Sequence, residues 1–146
     1  MHPDGVRLLV DRFVDAFNRR DADAFVALMD PEVAFHPTVL VGDRGVYRGH
    51  DGVRRWFASL GASTLGHRAR IRGLHVLDDG RFLLLTEVLV GDEVVAPSAM
   101  AARLSAAGLI AEAHAYLSDE QMLEQVGVTL PPATRAAIRG AGPAAS

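Results

Sequence analysis

From residue 67 to residue 117, apolar and polar residues alternate with a period of two through four segments: residues 67–77, 81–90, 93–104 and 109–117. Successive side chains of a β-strand point to opposite faces, so this alternation predicts four strands. Short turns separate them, at residues 78–80 (an Asp-Gly hairpin turn), 91–92 and 105–108. Consecutive strands joined by such short turns pair antiparallel. The pattern therefore predicts an antiparallel meander.

The residues before this meander follow helical spacing. A first helix is predicted by an apolar stripe at Val6, Leu9, Val10, Phe13, Val14 and Phe17. Asp21 can cap a shorter second helix, with an apolar side at Phe25, Leu28 and Met29, which the Asp30–Pro31 step ends. Residues 33–36 predict a short strand, and residues 38–49 an irregular loop. A third helix follows, with Val53, Trp56, Phe57 and Leu60 on its buried side.

The end of the chain carries helix signals of a different kind. Ser118 and Gln121 have the spacing of a capping box, which predicts a helix to about Gln125 that Gly127 ends. We therefore predict one domain over residues 1–127 and an extension over residues 128–146. Because the extension is rich in Pro, Ala and Gly, we expect at most a loose turn of helix and a disordered tip.

Composition excludes several classes of chemistry. The chain has 146 residues, which suits one domain, and no cysteine, so thiolate nucleophiles and Cys-ligated metal sites are excluded. All 15 basic residues are arginine, so no lysine can form a Schiff base or serve a phosphate loop. The net charge of −3 and the scattered arginines disfavour nucleic-acid binding. No signal peptide or membrane span is predicted, and we expect a cytoplasmic protein.

Three stretches carry a resemblance to a known family: FVDAFNRRDADAFVALMDPEVAFHP, VYRGHDGVRRWF and AHAYLSDEQMLEQVG. Together with the strand pattern they resemble the SnoaL-like branch of the nuclear transport factor 2-like and ketosteroid isomerase superfamily. The resemblance implies an α+β fold, a cone-shaped barrel in which a curved antiparallel sheet wraps around N-terminal helices. It also implies an apolar pocket between them and a homodimer through the outer face of the sheet. Members of this family include cyclases, isomerases, hydrolases and dehydratases, and also proteins without catalysis.

The resemblance places the family's isomerase residues on particular positions of this chain. The carboxylate base corresponds to His36, and the oxyanion tyrosine corresponds to Phe13. The oxyanion aspartate corresponds to Ala99 or Met100, so both proton donors are missing and steroid-type isomerisation is disfavoured. His36 remains a candidate general base, because a neutral imidazole accepts protons near pH 7. The alternative is a histidine at the pocket edge that is bonded to backbone or water.

Glu87 is the second catalytic candidate, because it interrupts the apolar strand segment FLLLTEVLV. Strand alternation groups it with Leu83, Leu85 and Leu89, which favours an inward-facing carboxylate of raised pKa. The alternative is an outward-facing charge paired with an arginine. The predicted pocket lining comprises Phe13, Phe17, Tyr47, Trp56, Leu85, Met100, Ala113, Ala115 and Leu117. For Trp56, core packing is the alternative.

The remaining polar residues of the strands are predicted to lie outside the pocket. The resemblance places His114 and Tyr116 on the outer face with Glu112, and Arg68, Arg70 and Arg72 form one ladder on a strand exterior. The six histidines form no recognised metal motif, and a site built from His36, His75 and a carboxylate has little support. No cofactor is expected.

Three functions remain open from the sequence. The first is a cofactor-free enzyme that moves protons on a small apolar or polyketide-like molecule, with His36 as base and Glu87 or Tyr47 assisting. The second is a non-catalytic module that binds a small apolar ligand. The third is a dimerisation module whose pocket is vestigial.

Overall fold

The computed structural model describes residues 2–37, 46–61 and 66–140. In these residues the helices are α1 (Pro3–Asn18), α2 (Ala22–Ala27), α3 (Gly49–Gly61), α4 (Asp119–Val126) and α5 (Pro132–Gly140). The strands are β1 (Met29–His36), β2 (Tyr47–Arg48), β3 (Arg68–Val76), β4 (Arg81–Val90), β5 (Glu93–Leu104) and β6 (Ile110–Tyr116). A 3₁₀ turn, Gly127–Thr129, joins α4 to α5.

The strands form one six-stranded sheet in the order β2-β1-β6-β5-β4-β3. The four strands β3 to β6 pair antiparallel in chain order, so the predicted meander is confirmed. β1 joins the sheet parallel to β6 and antiparallel to β2. The predicted α+β class, a curved antiparallel sheet with helices, is confirmed.

Short polar side chains begin two of the helices, as predicted. The Asp21 carboxylate accepts a hydrogen bond from the Ala24 backbone N–H at 3.1 Å, and α2 begins there. Ser118 accepts from the Gln121 N–H at 3.1 Å, while the Gln121 side chain accepts from the Leu117 N–H at 2.7 Å. These bonds satisfy backbone donors that have no partner inside the helix. The orientation of α4 against the last strand is fixed in this way.

Three predicted segments differ from the structure. Met29 does not belong to the second helix but begins β1, because its backbone pairs with Ile110 of β6. Tyr47 and Arg48, predicted as loop, form β2 by pairing with Phe35 and Ala34. Such pairing depends on residues far away in sequence, so local pattern does not reveal it. Residues 38–45 of the predicted loop lie outside the described residues.

The C-terminal extension is the third difference. Instead of a loose turn, it contains the nine-residue helix α5, and Ile138 in that helix is fully buried. Tertiary packing stabilises short helices that propensity alone does not, which is why composition misled the prediction. The predicted disordered tip, residues 141–146, lies outside the described residues.

The two faces of the sheet carry separate hydrophobic clusters. The inner face is the one that packs against α1, α2 and α3, and it presents Phe82, Leu84, Met100, Ala102 and Ala113. The outer face presents Leu83, Leu85, Ala99 and Ala101, which pack with Met122, Leu130 and Ile138 of the C-terminal segments. Alternation along the regular parts of each strand therefore assigns residues to one face, and the assignment changes parity at register shifts such as the one between Ile71 and Gly73 of β3. This assignment decides which side chains can share a site.

No helix among residues 2–37, 46–61 and 66–140 has both the length and the apolar character needed to cross a membrane.

Candidate functional site

His36 does not lie among the inner-face residues. It pairs in register with His114 of β6, and the two imidazole rings stack with centroids 3.9 Å apart. Its neighbours Val33 and Phe35 point into the inner cluster, so alternation turns His36 to the outer face. Partial burial lowers the pKa of His36, and the neighbouring His114 lowers it further. This position does not support the role of His36 as a general base inside a pocket of the inner face.

Glu87 and Leu85 also lie on the outer face. Leu85 packs with the C-terminal segments in the outer cluster, so it cannot line a pocket with Phe13 and Trp56. The parity argument grouped Glu87 with Leu85 correctly but assigned that group to the wrong face. Glu87 instead accepts a hydrogen bond from Arg70 Nε at 3.1 Å, as in the outward-facing alternative. The structure therefore separates both catalytic candidates from the inner face.

Most of the other predicted lining residues do share the inner face. Phe13, Met100 and Ala113 are buried in its cluster, and Phe17, Tyr47 and Trp56 pack against it partly exposed. Ala115 pairs with Met100 and follows the same alternation. Leu117 lies just beyond β6 and is 44% exposed. Whether these residues enclose a pocket stays a prediction.

The residues predicted to face outward do so. Glu112 and His114 lie on the outer face, where His114 Nε2 and Glu112 Oε1 are 3.1 Å apart. Tyr116 packs against the outer cluster, and burial there, together with the Glu112 charge, raises the pKa of its phenol. The Arg70 and Arg72 side chains pair with Glu87 and Asp119 of the same chain. Both arginines therefore form ion pairs with acidic residues of their own subunit.

His36 and His75 are not brought together. β1 and β3 are separated in the sheet by β6, β5 and β4. In the described part of the chain no three histidine or acidic side chains are grouped so that they could hold a metal ion.

Burial along the inner face decreases toward one end of the sheet. On β4, Phe82 is fully buried and Thr86 is 7% exposed, whereas Val88 is half-buried. β6 shows the same trend from the fully buried Ala113 to Leu117. We call this region the open end, and it comprises Phe17, Trp56, Ile71, Thr86, Val88, Ser98 and Ala115.

Two side-chain hydroxyl groups form a small polar site within the otherwise apolar open end. Thr86 and Ser98 are directly opposite each other on β4 and β5, and their side-chain oxygens hydrogen-bond to one another. Thr86 Oγ1 also lies 3.2 Å from the Ser98 carbonyl oxygen. Thr86 Oγ1 has one hydrogen, which it donates either to the Ser98 carbonyl oxygen or to Ser98 Oγ; in the second arrangement the Ser98 hydrogen remains for a further partner, and lone pairs remain in both. Among apolar neighbours, such a pair can orient a ligand oxygen.

Aromatic side chains cover this end from the helix side. The Trp56 ring stacks on Phe17 with centroids 6.3 Å apart and meets Phe35 edge-on at 4.7 Å. Phe35 in turn meets Phe25 edge-on at 6.3 Å. Such contacts hold large apolar surfaces in fixed orientations. Trp56 thus belongs both to the core and to the open end.

His67 lies at the rim of the open end, immediately before β3. Its ring packs against Phe17 with centroids 5.6 Å apart, and its position continues the inward alternation of Ala69 and Ile71. Partial burial lowers the pKa of His67, and the charge of Arg20 lowers it further. The lowered pKa favours the neutral imidazole.

Sequence reasoning passed over Thr86, Ser98 and His67. A signal for the first two was present, because Thr86 shares parity with Phe82 and Leu84, and Ser98 shares it with Met100. No signal fixed which parity faces the helices, since both parities of β4 are apolar. The position of His67 depends on the contact between α1 and β3, which sequence spacing does not reveal.

The sequence matches the family model described as the SnoaL-like domain over residues 10–113. It matches no curated protein at a significant level.

Solved structures share the fold. A SnoaL-like protein of unknown function from Burkholderia thailandensis superimposes with a TM-score of 0.68 at 13% identity, covering 81% of this chain and 98% of its own. A candidate polyketide cyclase from Sinorhizobium meliloti superimposes with a TM-score of 0.60 at 18% identity, covering 79% of this chain and 95% of its own. A candidate ketosteroid isomerase from Kribbella flavida superimposes with a TM-score of 0.60 at 17% identity, covering 77% of this chain and 76% of its own.

At these identities the likeness to solved structures shows the fold alone, whereas the family model spans most of the chain from α1 to β6. The chain belongs to the SnoaL-like domain family.

Proposed function

We propose that this protein binds a small, largely apolar molecule at the open end of the inner face, with one oxygen of the ligand at the Thr86–Ser98 pair. The observation that carries the proposal is this hydroxyl pair, set in an otherwise apolar layer of half-buried side chains. Apolar walls with a few fixed polar groups are typical of small-molecule sites. The ligand class that we propose is a small apolar molecule that carries one ketone or phenol oxygen.

We further propose that the protein transfers protons on the bound molecule without a cofactor. The solved relatives that are named as candidate polyketide cyclase and candidate ketosteroid isomerase support it as a class of reaction. His36 and Glu87 do not support it, since both lie on the outer face. A base for this chemistry has to be sought on the inner face.

The binding proposal can be tested with the single tryptophan of the chain, Trp56, whose fluorescence reports on the open end. We would titrate the protein with 2-tetralone, a bicyclic ketone, and with tetralin, the same ring system without the oxygen. We expect the fluorescence of Trp56 to change saturably with both compounds. Ser98→Ala should weaken 2-tetralone about fivefold, since a neutral hydrogen bond contributes ~1 kcal/mol, and should leave tetralin unchanged.

Glu87→Gln is the matched control, because residue 87 follows Thr86 directly but faces the other way. It should bind both probes as the parent protein does. Equal weakening of both probes by Ser98→Ala would contradict the role of the hydroxyl pair. No saturable change with either probe would contradict binding at the open end.

A further inference from the structure

The side chain of Arg20 lies against the open end, just beyond the C-terminus of α1. Its Cζ is 4.6 Å from the centroid of the Phe17 ring, and Phe17 is one of the open-end residues. Nη1 donates to the Phe17 carbonyl oxygen at 2.8 Å, and Nη2 donates to the His67 carbonyl oxygen at 2.7 Å. The guanidinium is thus held between the end of α1 and the start of β3.

These contacts leave hydrogen-bond donors of Arg20 unused. A guanidinium carries five N–H groups, and the two carbonyl oxygens take two of them. Three N–H groups remain, whereas a carboxylate bound in the bidentate manner accepts two. The side chain can therefore keep its present bonds and still bind a carboxylate.

Within the described chain, Arg20 also lacks the acidic partner that other partly buried arginines have. Arg72 pairs with Asp119 at 2.6 Å, and Arg81 pairs with Asp79 at 2.7 Å. The hydrogen-bond partners of Arg20 are instead neutral carbonyl groups. A partly buried cation that is bonded only to neutral groups favours the approach of an anion.

The acidic residues near this end of the sheet do not fill that place. Asp92 and Glu93 lie at the turn from β4 to β5 and are exposed, and neither forms an ion pair with Arg20. Partial burial lowers the pKa of Arg20, whereas the hydrogen bond and the charge of Asp15 raise the pKa of the adjacent Arg19. The two neighbouring arginines thus differ in whether an acid neutralises them.

The backbone around Arg20 holds the guanidinium in a fixed place. Its φ of 54° lies in the left-handed region, and within the described ranges it is the only residue other than glycine with a positive φ. Nearby, Asn18 donates to the Ala69 carbonyl oxygen and accepts from the Ala69 N–H, both at 2.8 Å. Arginine is disfavoured in this conformation, and such outliers concentrate at functional sites.

We propose that Arg20 is a specificity-determining residue that binds a carboxylate of the ligand, so that the ligand is an elongated apolar acid. This rests on the proposed function, since the apolar body of the ligand must lie at the open end. The carboxylate accepts from the free N–H groups of Arg20, and the apolar body extends past Phe17 and Trp56.

The register of the sheet sets the length of such a ligand. Thr86 pairs with Ile71 of β3, and His67 lies four residues before Ile71. At ~3.3 Å per residue, the backbone of His67 and the Thr86–Ser98 pair are roughly 13 Å apart along the strand. A molecule that reaches both Arg20 and the hydroxyl pair therefore carries its carboxylate and its ketone or phenol oxygen at opposite ends.

The test compares the binding of decanoate and decanamide to the intact protein by isothermal titration calorimetry at pH 7.5. The two compounds have the same apolar chain, but only decanoate is charged, because carboxyl groups ionise at about pH 4. Decanoate should bind about tenfold more tightly than decanamide, since a hydrogen bond to a charged group contributes at least about this factor.

Arg20→Asn should abolish the preference for decanoate. Asparagine adopts the left-handed conformation more readily than arginine, so the turn should be preserved. Arg19→Asn is the matched control, because it removes the same charge from the adjacent residue, which pairs with Asp15 and Asp21. That variant should keep the tenfold preference. Decanamide should bind alike to the parent protein and to both variants.

Three results would overturn the proposal for Arg20. They are equal binding of the two compounds to the parent protein, a tenfold preference that survives in Arg20→Asn, and loss of decanamide binding in Arg20→Asn. The last result would show that Arg20 supports the open end and does not select the charge of the ligand.

The response of Trp56 to 2-tetralone distinguishes this failure from failure of the proposed function. A saturable response to 2-tetralone without a preference for decanoate would reject the role of Arg20 and leave the binding proposal standing. No binding of 2-tetralone, decanoate or decanamide would reject both.

Discussion

At the scale of single residues, the most buried ion pair in the described structure is that of Arg72 and Asp119. Their ion pair is bidentate, with nitrogen–oxygen distances of 2.6 and 2.9 Å. The Arg72 side chain is 14% exposed and the Asp119 side chain 8% exposed. The pair joins β3 to the first turn of α4. Removing one partner would leave a buried charge without its counterion, which is the costly way to break such a pair.

We predict that Asp119→Ala lowers the free energy of unfolding by about 3 kcal/mol, as measured by urea denaturation. The control is Asp23→Ala, which removes a carboxylate that is 2.6 Å from Arg54 but 86% exposed. Exposed pairs contribute little, so that variant should lose less than about 1 kcal/mol. Similar losses in the two variants would show that burial does not decide the strength of these pairs.

The stacked imidazoles of His36 and His114 give a prediction about pH. The pKa of His36 is lowered in the folded protein, first by burial and then by His114, so the unfolded chain binds more protons below about pH 6.5. Stability from this group is therefore complete above pH 6.5 and is lost as pH falls through that value toward the lowered pKa. Besides His114, the charged groups acting on it are Glu112 and Arg48.

In urea denaturation at pH 5, 6 and 7, His36→Asn should show a shallower loss of stability on acidification than the parent protein. The comparison of slopes is the informative quantity, because the substitution also removes the ring stacking at every pH. An unchanged slope would mean that His36 titrates alike in the folded and unfolded states.

At the scale of elements, the C-terminal helix α5 completes the outer cluster. Ile138 is fully buried against it, together with Leu130 from the segment before the helix. Without these side chains, Leu83 and Leu85 of β4 would lose apolar neighbours. The extension therefore contributes to the stability of the sheet.

Ile138→Ala should cost about 3 kcal/mol of unfolding free energy, as truncation of a buried aliphatic side chain does. Val128→Ala is the matched control in the same segment, because Val128 is 87% exposed, and it should change stability by less than about 0.5 kcal/mol. Thermal and urea unfolding measure both. A loss below about 1 kcal/mol for Ile138→Ala would contradict the tight packing of α5.

Sequence patterns predicted the elements better than their partners. Helical and strand periodicity identified α1, α3 and β3 to β6, because each has a polar and an apolar side that local spacing reveals. β2 and α5 depend on distant contacts, with Phe35 and with the outer cluster respectively. On β4 both faces are buried, so its alternation could not show which side meets the helices, and Glu87 and Leu85 were placed on the wrong face.

At the scale of the whole molecule, the outer face is only partly available to a second subunit. α4 and α5 cover the part formed by Leu83, Leu85, Ala99 and Ala101. The half-exposed Glu112 and His114 lie on β6, beside β1, away from that cover. We still predict a homodimer through the outer face and propose that β1 and β6 carry it.

Size-exclusion chromatography with light scattering should therefore give a dimer at micromolar concentration. His114→Glu should shift it toward monomer, because the new carboxylate would stand beside Glu112 and its copy in the partner. A parent protein that is monomeric at this concentration would rule out a stable dimer through this face.

The central claim is that a small apolar molecule binds on the inner face and not on the outer one. The chain has four methionines, of which Met100 lies on the inner face next to the open end and Met122 lies in the outer cluster. Methyl-labelled methionine therefore gives NMR probes on both faces, with Met29 as a second methionine of the inner cluster. With 2-tetralone bound, we predict nuclear Overhauser effects from ligand protons to the Met100 methyl and none to that of Met122. Contacts to Met122 alone would contradict the claim.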